Sequence, residues 1–558
     1  MPARLEARPS LAAGAEPGAD GARWVTSAPV TWWRDGVIYQ IYPRSYRDST
    51  GDGVGDLAGI TQRLDHLAWL GVDAIWITPI MPSPDSDWGY DVAFYTGVQP
   101  VLGDLEGFDR LVAGADARGI KVVLDLVPNH TSSKHRWFRE ARGSKTSPRR
   151  DYYVWADPKP DGSPPNNWRS SFGGPAWTMD PVSRQYYLHN FLPTQPDLNW
   201  WSEEVREEFD QILRFWFDRG VAGFRIDVAH AIVKDKELRD NPPAEPGDHP
   251  YVAAFGQRKV YNAERPEAHD VFRRWRAIAE EYDPPRLLLG ETYVLDVERL
   301  RPFFGAGDEL QLAFNFVFLH SPFTAEGLRS IVDATERALD GPDTWPVWAI
   351  STHDLPRYVD RWAGGSADRA RCALVMLLTL RGTPVLYYGD ELGMADVPVP
   401  PGQRRDPVGT GAFDAGPGRD PCRTPMPWSA GPGGGFTTPE ARPWLPLSTQ
   451  PGVTVEEQRD DPDSMLVLSR DLIALRRAEP DLSRGGYESL AAPDGLWAFR
   501  RGERFVVALN LSDTAGAVDL PSAGGRVRIA TRRARDGEPV GGPLALGPGE
   551  AAVVELTG

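Results

Sequence analysis

Short apolar runs alternate with amphipathic segments from residue 30 onward. The runs are VIYQIY (37–42), AIWITP (74–79), KVVLDLV (121–127), GFRID (223–227), RLLLGE (286–291), LQLAFN (310–315), VWAIST (347–352) and PVLYYG (384–389). Segments such as LAGITQRLDHLAWLG between them have helical spacing. Eight strand–helix units predict an α/β fold, a closed (β/α)8 TIM barrel. The alternative, an open doubly wound sheet, would want a Gly-rich phosphate-binding turn after the first strand, and none is there.

Two stretches depart from this alternation. Residues 131–200, rich in Trp, Tyr, Pro and Asn, are too long for a structureless loop, which predicts a subdomain inserted after the third strand. From about residue 481 only strand-like runs remain, predicting a C-terminal antiparallel β-sandwich domain over 481–558. The barrel then takes 29–130 and 201–480, with an irregular, Pro-, Gly- and Arg-rich loop at 395–430. Residues 1–28 are predicted to be a flexible tail.

Net charge and cysteine content exclude some classes of partner and indicate a cellular location. A net charge of −17 argues against nucleic acid or an anionic membrane as a partner. The two cysteines show no disulfide framework or zinc-site spacing, which fits a reducing compartment and predicts a cytoplasmic location. No apolar segment reaches membrane-spanning length, and the N-terminus has no secretory apolar region. We expect a small-molecule substrate, and a chain that acts as a monomer or homodimer.

The strands of the predicted barrel end on polar residues that carry chemistry. In a barrel of this kind the carboxyl ends of all strands meet at one face, where active sites lie. Strand three ends in DLVPNH, strand four in GFRIDVAH, strand five in LLLGE and strand seven in STHD. Three carboxylates, those of Asp227, Glu291 and Asp354, are therefore predicted to share one cleft.

Paired carboxylates are what cleavage of a glycosidic bond requires. Arg225 lies two residues before Asp227, so in a strand both side chains point to the same face. The guanidinium is expected to lower the pKa of Asp227 and keep it charged, as a nucleophile requires. Glu291 has no cation beside it in the sequence, which suits a proton donor. A buried ion pair that only fixes strand register is the structural alternative for Arg225 and Asp227.

These four motifs, in this order, resemble those of the α-amylase family, glycoside hydrolase family 13. DWGYDV (87–92), FLPTQPDLNW (191–200) and GRDPCRTPMPW (418–428) are similar to the α-glucosidase and oligo-1,6-glucosidase branch. The seven motifs cover some 400 residues. The resemblance implies retention of configuration, with Asp227 as nucleophile, Glu291 as acid/base and Asp354 stabilising the transition state.

The resemblance also implies a pocket for one terminal glucose. His130 and His353 would hydrogen-bond the sugar, Asp87 and Tyr90 would close the pocket, and Arg423 would be bonded near Asp87. A structural alternative is that Arg419 and Arg423 only bridge loops, and that the histidines are core residues.

An acidic loop, DSTGDGVGD (48–56), has the alternating oxygen donors of an EF-hand. The candidate ligands are Asp48, Thr50, Asp52, the Val54 carbonyl and Asp56, with Gly53 making the turn. Gly59 stands at position twelve, where an EF-hand has a bidentate Glu. Similar loops of the glucosidase branch hold one structural Ca²⁺ or Mg²⁺, and we expect the same here; the alternative is a surface turn without metal.

The expected function is that of a retaining, exo-acting α-glucosidase on maltose and short malto-oligosaccharides, with possible transglucosylation. His230 stands where α-amylases have the Lys that grips long chains, which argues against an endo-acting amylase. Ala229 and His230 depart from the oligo-1,6-glucosidase pattern, and Pro427 replaces the usual Gln. Oligo-1,6-glucosidase, trehalose synthase and sucrose-using transglucosidase remain alternatives. A non-catalytic relative serving as a scaffold is disfavoured because all three carboxylates are present.

Overall fold

A computed structural model describes residues 31–408 and 418–557 of the chain. The predicted tail at 1–28 and part of the predicted loop at 395–430 lie outside the described residues. The strands are, in chain order, β1 (Ile38–Ile41), β2 (Ala74–Ile77), β3 (Lys121–Leu126), β4 (Trp155–Ala156), β5 (Trp177–Met179), β6 (Tyr186–Leu188), β7 (Gly223–Ile226), β8 (Leu287–Gly290), β9 (Leu312–Phe314), β10 (Pro346–Ala349), β11 (Thr383–Tyr387), β12 (Tyr487–Leu490), β13 (Leu496–Arg501), β14 (Phe505–Asn510), β15 (Gly516–Val518), β16 (Gly525–Ala530), β17 (Pro539–Val540), β18 (Leu544–Leu546) and β19 (Ala551–Leu556).

Eight parallel strands close into a barrel in the order β1-β11-β10-β9-β8-β7-β3-β2. Each of the eight apolar runs supplies one strand, so the predicted (β/α)8 barrel is confirmed. Alternate residues of the strands fill the barrel interior, among them Ile38, Trp76, Leu289 and Val385, all at most 1% exposed. A packed interior of this kind leaves the carboxyl-end face as the place for a site.

Helices surround the barrel and connect its strands. They are α1 (Trp32–Asp35), α2 (Pro43–Tyr46), α3 (Leu57–Gln62), α4 (Leu64–Leu70), α5 (Leu105–Asp116), α6 (Arg136–Gly143), α7 (Glu203–Asp218), α8 (Pro250–Phe255), α9 (Ala268–Glu280), α10 (Phe316–Leu319), α11 (Ala325–Ala338), α12 (Tyr358–Arg361), α13 (Ala367–Thr379), α14 (Val455–Gln458), α15 (Met465–Ala478) and α16 (Pro480–Ser483). Among these described residues, no helix is both long and apolar enough to span a bilayer.

The helix before the GFRID strand shows how the sequence sets these elements. Ser202 caps α7 by accepting the amide N–H of Val205, and Glu203 and Glu204 in the first turn suit the positive end of the helix dipole. By contrast, the segment 57–71 forms two helices, because Arg63 leaves helical geometry (φ −106°, ψ 7°) and its guanidinium packs over the ring of Trp428.

Two further β structures flank the barrel. Within 131–200, β4, β6 and β5 form a small antiparallel sheet. At the C-terminus, the strands pair antiparallel in the order β12-β13-β14-β19-β16-β17, with β15 and β18 forming a second, two-stranded sheet. The predicted C-terminal antiparallel β domain is therefore present. Strands β12, β15, β17 and β18 escaped the sequence analysis because they are short and lack a clear alternation.

Arg476 joins helix α15 to the barrel from a fully buried position. Its guanidinium donates to the carbonyl oxygens of Leu378 (3.2 Å), Leu380 (2.9 Å), Leu482 (3.1 Å) and Gly382. These carbonyls lie at the end of α13, before β11 and in α16. One side chain thereby satisfies buried acceptors from three segments.

We expect Arg476→Met to destabilise the protein by about 3 kcal/mol, because it leaves several buried carbonyls without donors. The adjacent Arg477 is the matched control: it is half-exposed and pairs with Asp73 at the surface, so Arg477→Met is expected to cost less than about 1 kcal/mol. Urea unfolding midpoints measure both. Equal midpoints for the two variants would contradict the anchoring role of Arg476.

Candidate active site

A cavity of about 700 Å³ opens at the carboxyl ends of the barrel strands. Its wall includes the three carboxylates predicted from the strand ends, Asp227, Glu291 and Asp354, and also Asp87, Tyr90 and His130. Asp227 and Glu291 directly follow β7 and β8, and Asp354 follows β10. The parallel barrel thus brings residues that are far apart in sequence to one concave surface.

Arg225, only 2% exposed, links three carboxylates. Its Nη1 donates to Asp227 Oδ1 at 2.7 Å and to Asp125 Oδ1 at 3.0 Å. Its Nη2 lies 3.1 Å from Glu291 Oε1. The guanidinium also packs on the ring of Trp76, 5.0 Å from its centroid. Both candidate reacting carboxylates are therefore held by one planar cation.

The backbone fixes the positions of these two carboxylates beyond the strand ends. The Asp227 amide donates to the Leu126 carbonyl, and the Glu291 amide donates to the Ile226 carbonyl, both at 2.8 Å. Val228 has a left-handed conformation (φ 49°, ψ 35°), which is costly for a β-branched residue and is seen chiefly at functional sites. This turn aims the Val228 amide at Glu291 Oε2, 2.7 Å away.

The expectation that the pKa of Asp227 lies below its usual range is wrong, although Arg225 acts in the expected direction. Burial, together with the neighbouring charge of Glu291, outweighs the guanidinium and raises the pKa of Asp227 well above its usual range. Burial likewise raises the pKa of Asp125 to about 6. The one guanidinium is also shared among three carboxylates, so Glu291 has a cation beside it that the sequence did not reveal.

Tyr90 lines one side of the cavity, and its ring stacks on that of buried His353, with centroids 5.3 Å apart and planes within 5°. The Tyr90 hydroxyl donates to Asp125 Oδ2 (3.0 Å) and lies 2.7 Å from His353 Nε2. Burial lowers the pKa of His353 to about 3, so its ring is neutral. His353 Nε2 also lies 3.2 Å from Asp354 Oδ2.

Asp354 has a different electrostatic environment from Asp227. Burial would raise the pKa of Asp354, but the guanidinium groups of Arg419 (3.2 Å) and Arg423 (2.9 Å) hold it well below its usual range. Because His353 is neutral, we attribute this lowering to the two arginines. Asp354 is therefore charged throughout the physiological pH range.

The partner of Asp87 is Arg419, which corrects the expectation that Arg423 lies bonded near Asp87. Arg419 Nη2 is 2.6 Å from Asp87 Oδ1 and 2.7 Å from Asp406 Oδ1. Arg423 instead donates to the His353 carbonyl (2.7 Å) and to Asp354. The two arginines lie one turn apart, and only the fold decides which reaches Asp87.

His130 is buried beside this group. Its Nδ1 lies 3.0 Å from Asn129 Nδ2, and its Nε2 lies 2.9 Å from the Tyr90 carbonyl and 3.0 Å from Gln195 Nε2. Gln195, from the inserted segment, also donates to Asp87 Oδ2 at 3.1 Å. Six of the nine predicted catalytic and sugar-contacting residues thus line one cavity, and Arg225, His353 and Arg423 lie behind it as buried partners of those six.

Sequence reasoning missed Gln195 and Lys234, and it gave Arg419 no pocket role. Gln195 lies within the quoted motif FLPTQPDLNW, but nothing in that motif shows that its amide meets Asp87, 108 residues away. Lys234 follows GFRIDVAH by a few residues and is almost fully buried. A buried lysine is rare without a partner, but its burial is invisible in sequence.

The acidic loop 48–56 lies away from the cavity. The carboxylate of Asp48 accepts the amides of Thr50 (2.9 Å), Gly51 (2.7 Å) and Gly53 (2.8 Å), and Asp56 caps α3 at Gly59. Asp52 is exposed and accepts the Val54 amide. The donors are all oxygens, as a hard cation prefers. Within 31–408 and 418–557, however, no three Asp, Glu, His or Cys side chains converge as in a metal centre.

The chain is similar to known proteins along most of its length. Residues 40–485 match the alpha amylase catalytic domain. A probable alpha-glucosidase of Rhizobium meliloti (strain 1021) is 43% identical over 506 residues, covering 88% of this chain and 91% of that protein. An oligo-1,6-glucosidase of Heyndrickxia coagulans is 37% identical over 569 residues, covering 94% and 99%.

Among solved structures, that of the alpha-glucosyl transfer enzyme XgtA has a TM-score of 0.88 and 39% identity, covering 95% of this chain and all of that one. The matched region spans the barrel and every strand end that builds the cavity. This chain therefore belongs to the α-amylase family of glycoside hydrolases, glycoside hydrolase family 13.

Proposed function

We propose that this protein is a retaining, exo-acting α-glucosidase that releases glucose from maltose and short malto-oligosaccharides and also transfers glucosyl groups. The observation that carries this proposal is the shared contact of Arg225 with Asp227 and Glu291 at the wall of one cavity. Two carboxylates placed together in this way supply the nucleophile and the acid/base of a double displacement.

In the proposed mechanism, the Asp227 carboxylate attacks C1 of the terminal glucose while Glu291 donates its proton to the glycosidic oxygen. A β-linked glucosyl ester of Asp227 forms and the remaining sugar leaves. Glu291, now a carboxylate, takes a proton from water, which attacks C1 and frees Asp227. A sugar hydroxyl in place of that water gives transfer. The Arg225 guanidinium keeps Asp227 Oδ1 oriented through both displacements.

Asp354, charged and held by two arginines, is suited to binding sugar hydroxyls and to stabilising the positive charge that develops at the sugar ring. His130 and the stacked pair of Tyr90 and His353 supply neutral donors and a flat ring surface for the same glucose. A neutral histidine adds no competing positive charge near the oxocarbenium-like transition state.

The end of the glucose site is closed by one salt-bridge group. Arg419 spans Asp87, Asp354 and Asp406, and its guanidinium packs near the ring of Phe172, 5.4 Å away. This group ties the loop around residue 420 to the loop after β2. A site closed by three carboxylates around one cation accommodates a terminal sugar, which supports exo action.

We also propose that the enzyme cleaves α-1,4 bonds in preference to α-1,6 bonds. His230 lines the cavity, and its Nδ1 faces the Tyr293 amide and the Glu291 carbonyl, both at 3.2 Å, so this nitrogen supports the backbone around Glu291 and is not free to bind a longer aglycone. Oligo-1,6-glucosidase activity is the second candidate, favoured by the 37% identical relative of that name. Similarity to an alpha-glucosyl transfer enzyme supports transfer.

We also propose that the loop 48–56 binds one structural Ca²⁺ or Mg²⁺ through Asp48, Thr50, Asp52, the Val54 carbonyl and Asp56. The oxygen-only donor set and its alternate spacing support this. The amide contacts of Asp48 and the helix cap of Asp56 oppose it, because a cation would share these carboxylates with N–H groups.

A cytoplasmic location is proposed on the state of the two cysteines. Cys372 and Cys422 are both buried and free, so neither takes part in a disulfide. We propose a monomer or homodimer as the working form.

A substrate panel tests the proposed function. Maltose and maltotriose are expected to be cleaved much faster than soluble starch, with glucose as the first product, because the Arg419 group closes the end of the cavity. Chromatography of products from maltose, isomaltose, sucrose, trehalose and starch measures this. Early release of long internal fragments from starch would contradict exo action. A strong preference for isomaltose would overturn only the proposed linkage.

The role of Glu291 predicts a dependence on the leaving group. Glu291→Gln is expected to slow maltose cleavage by about 10²- to 10⁴-fold, and cleavage of an aryl α-glucoside with an acidic phenol much less, because that phenol leaves without protonation. Pre-steady-state rates of glucosylation measure both. Asp227→Asn is the control and is expected to abolish turnover of both substrates alike. The assignment fails if Glu291→Gln slows both substrates by the same factor.

The metal proposal predicts that chelation lowers the melting temperature by about 5 °C, because a bound cation stabilises the fold by mass action. The exposed ligand offers a matched variant: Asp52→Asn should have a lower melting temperature from the start and no response to chelator. Elemental analysis should find about one divalent cation per chain in the wild type. A melting curve that chelator leaves unchanged, with no metal found, would show that the loop is a metal-free turn.

A further inference from the structure

Lys234 is a buried cation behind the glucose site, where the inserted segment meets the barrel. It is 3% exposed, and its ammonium contacts Asn129 Oδ1 at 2.6 Å, Asp197 Oδ2 at 2.9 Å and the Ile232 carbonyl at 3.2 Å. Asn129 follows β3, Lys234 follows β7, and Asp197 belongs to the inserted segment. No step of the proposed mechanism uses this lysine.

The ammonium determines the orientation of the Asn129 amide. An ammonium has only donors, so the atom that faces it must be the amide oxygen. The amide nitrogen of Asn129 then points the other way, toward His130 Nδ1 (3.0 Å) and Asp197 Oδ1 (3.3 Å). The Asp197 carboxylate can only accept, so its contact requires a donor on Asn129 and agrees with the orientation set by Lys234. The contact with His130 Nδ1 fits a donor or an acceptor on Asn129, depending on the tautomer, so the orientation of the amide decides it.

That orientation in turn selects the tautomer of His130. Because Asn129 Nδ2 donates to Nδ1, Nδ1 must be unprotonated and the ring proton must be on Nε2. Nε2 has two possible partners: the Tyr90 carbonyl, which needs a proton from the ring, and Gln195 Nε2, which would need a lone pair. Gln195 Nε2 has two protons and two other acceptors, Asp87 Oδ2 at 3.1 Å and the Tyr90 carbonyl at 3.5 Å, so it does not require the lone pair of His130 Nε2.

We propose that Lys234 is a positioning residue for the glucose site: acting through Asn129, its ammonium holds His130 as the Nε2–H tautomer, which donates to the Tyr90 carbonyl. Without the ammonium the Asn129 amide is free to turn over, Nδ1 takes the proton, and a lone pair on Nε2 faces the Tyr90 carbonyl. The Tyr90 side chain, stacked on His353, then loses a backbone anchor.

Two further facts agree with this assignment. Burial lowers the pKa of His130, so its ring is neutral and has one proton, which is on either Nδ1 or Nε2. Burial also lowers the pKa of Lys234, but the Asp197 carboxylate counteracts this and favours the ammonium form. The expected effect of Lys234 on catalysis rests on the proposed function of His130 at the sugar site. The expected effect of Lys234 on the His130 tautomer does not.

The test uses a double variant, Lys234→Met with Asp197→Asn, called the pair variant. Both charges are removed together, since Lys234→Met alone would leave a buried carboxylate unpaired. The full-length protein, labelled with ¹⁵N in its nine histidines, is examined by NMR. His130→Ala identifies the His130 signal. We expect an unprotonated Nδ1 and a protonated Nε2 in the wild type, and a mixture or the reverse in the pair variant.

A matched control removes another Lys–Asp pair. Lys121→Met with Asp116→Asn deletes a contact of 3.1 Å at the start of β3, at the end of the barrel opposite the cavity. This control should leave both the His130 tautomer and the turnover of maltose unchanged. Because this pair is partly exposed, the control accounts for the effect on labelling and activity of removing a Lys–Asp pair far from the site.

Kinetics then test whether Lys234 acts through His130. The pair variant is expected to lower kcat/KM for maltose by about tenfold, the effect of one misdirected hydrogen bond. In the His130→Ala background the same pair variant should have no further effect, because the residue that it positions is gone. Additive losses would instead show a general structural role and overturn the proposal.

The outcomes separate this inference from the proposed function. An unchanged His130 tautomer in the folded pair variant overturns the role of Lys234, whatever the enzyme hydrolyses. A changed tautomer with non-additive kinetics supports it. Absence of maltose hydrolysis by the wild type contradicts the proposed substrate and leaves the NMR result to decide on the tautomer.

Discussion

The site depends on one buried guanidinium shared among three carboxylates. Arg225 contacts Asp125, Asp227 and Glu291, which come from three neighbouring strands of the barrel. A single cation does not neutralise three acids, and in a dry interior each uncompensated charge is costly. The raised pKa values of Asp125 and Asp227 record that cost. Such a group is a poor way to stabilise a barrel, and its presence is explained by the chemistry that two adjacent carboxylates perform.

A second group of charges contains two cations. Around Asp354 and Asp87, the cations Arg419 and Arg423 reach acids at the rim of the site. Both guanidinium groups contact Asp354 and keep it ionised. The cavity therefore has one carboxylate that is always charged and, across from it, carboxylates whose ionisation is sensitive to their neighbours. The two kinds of carboxylate differ because Asp354, after β10, faces the loop that contains Arg419 and Arg423, whereas Asp227 and Glu291, after β7 and β8, do not.

The barrel and the convergence of the candidate carboxylates were predictable from the sequence because both depend on local patterns. Each strand is a short apolar run, and Asp227 and Glu291 directly follow two of them, so parallel closure alone brings them together. The partner of Asp87 was not predictable, because Arg419 and Arg423 lie within one loop and only its path decides which one arrives. The pKa of Asp227 was wrongly predicted because the sequence shows Arg225 beside it but neither the burial of the carboxyl nor the presence of Glu291 and Asp125 around the same cation.

The division between strands and loops bears on how specificity arises in this family. Asp227 and Glu291 are fixed by barrel hydrogen bonds that continue past the strand ends. The residues that contact Asp87 at the end of the proposed glucose site come from elsewhere: Gln195 from the inserted segment and Arg419 from the loop beyond β11. A change in these segments alters the enclosure of the sugar without moving the carboxylates. Relatives named alpha-glucosidase, oligo-1,6-glucosidase and alpha-glucosyl transfer enzyme share this barrel. The segments that contact the barrel end can therefore differ among such enzymes while the carboxylates stay in place, and the contacts to compare are those that residues like Gln195 and Arg419 make, which join one segment to another.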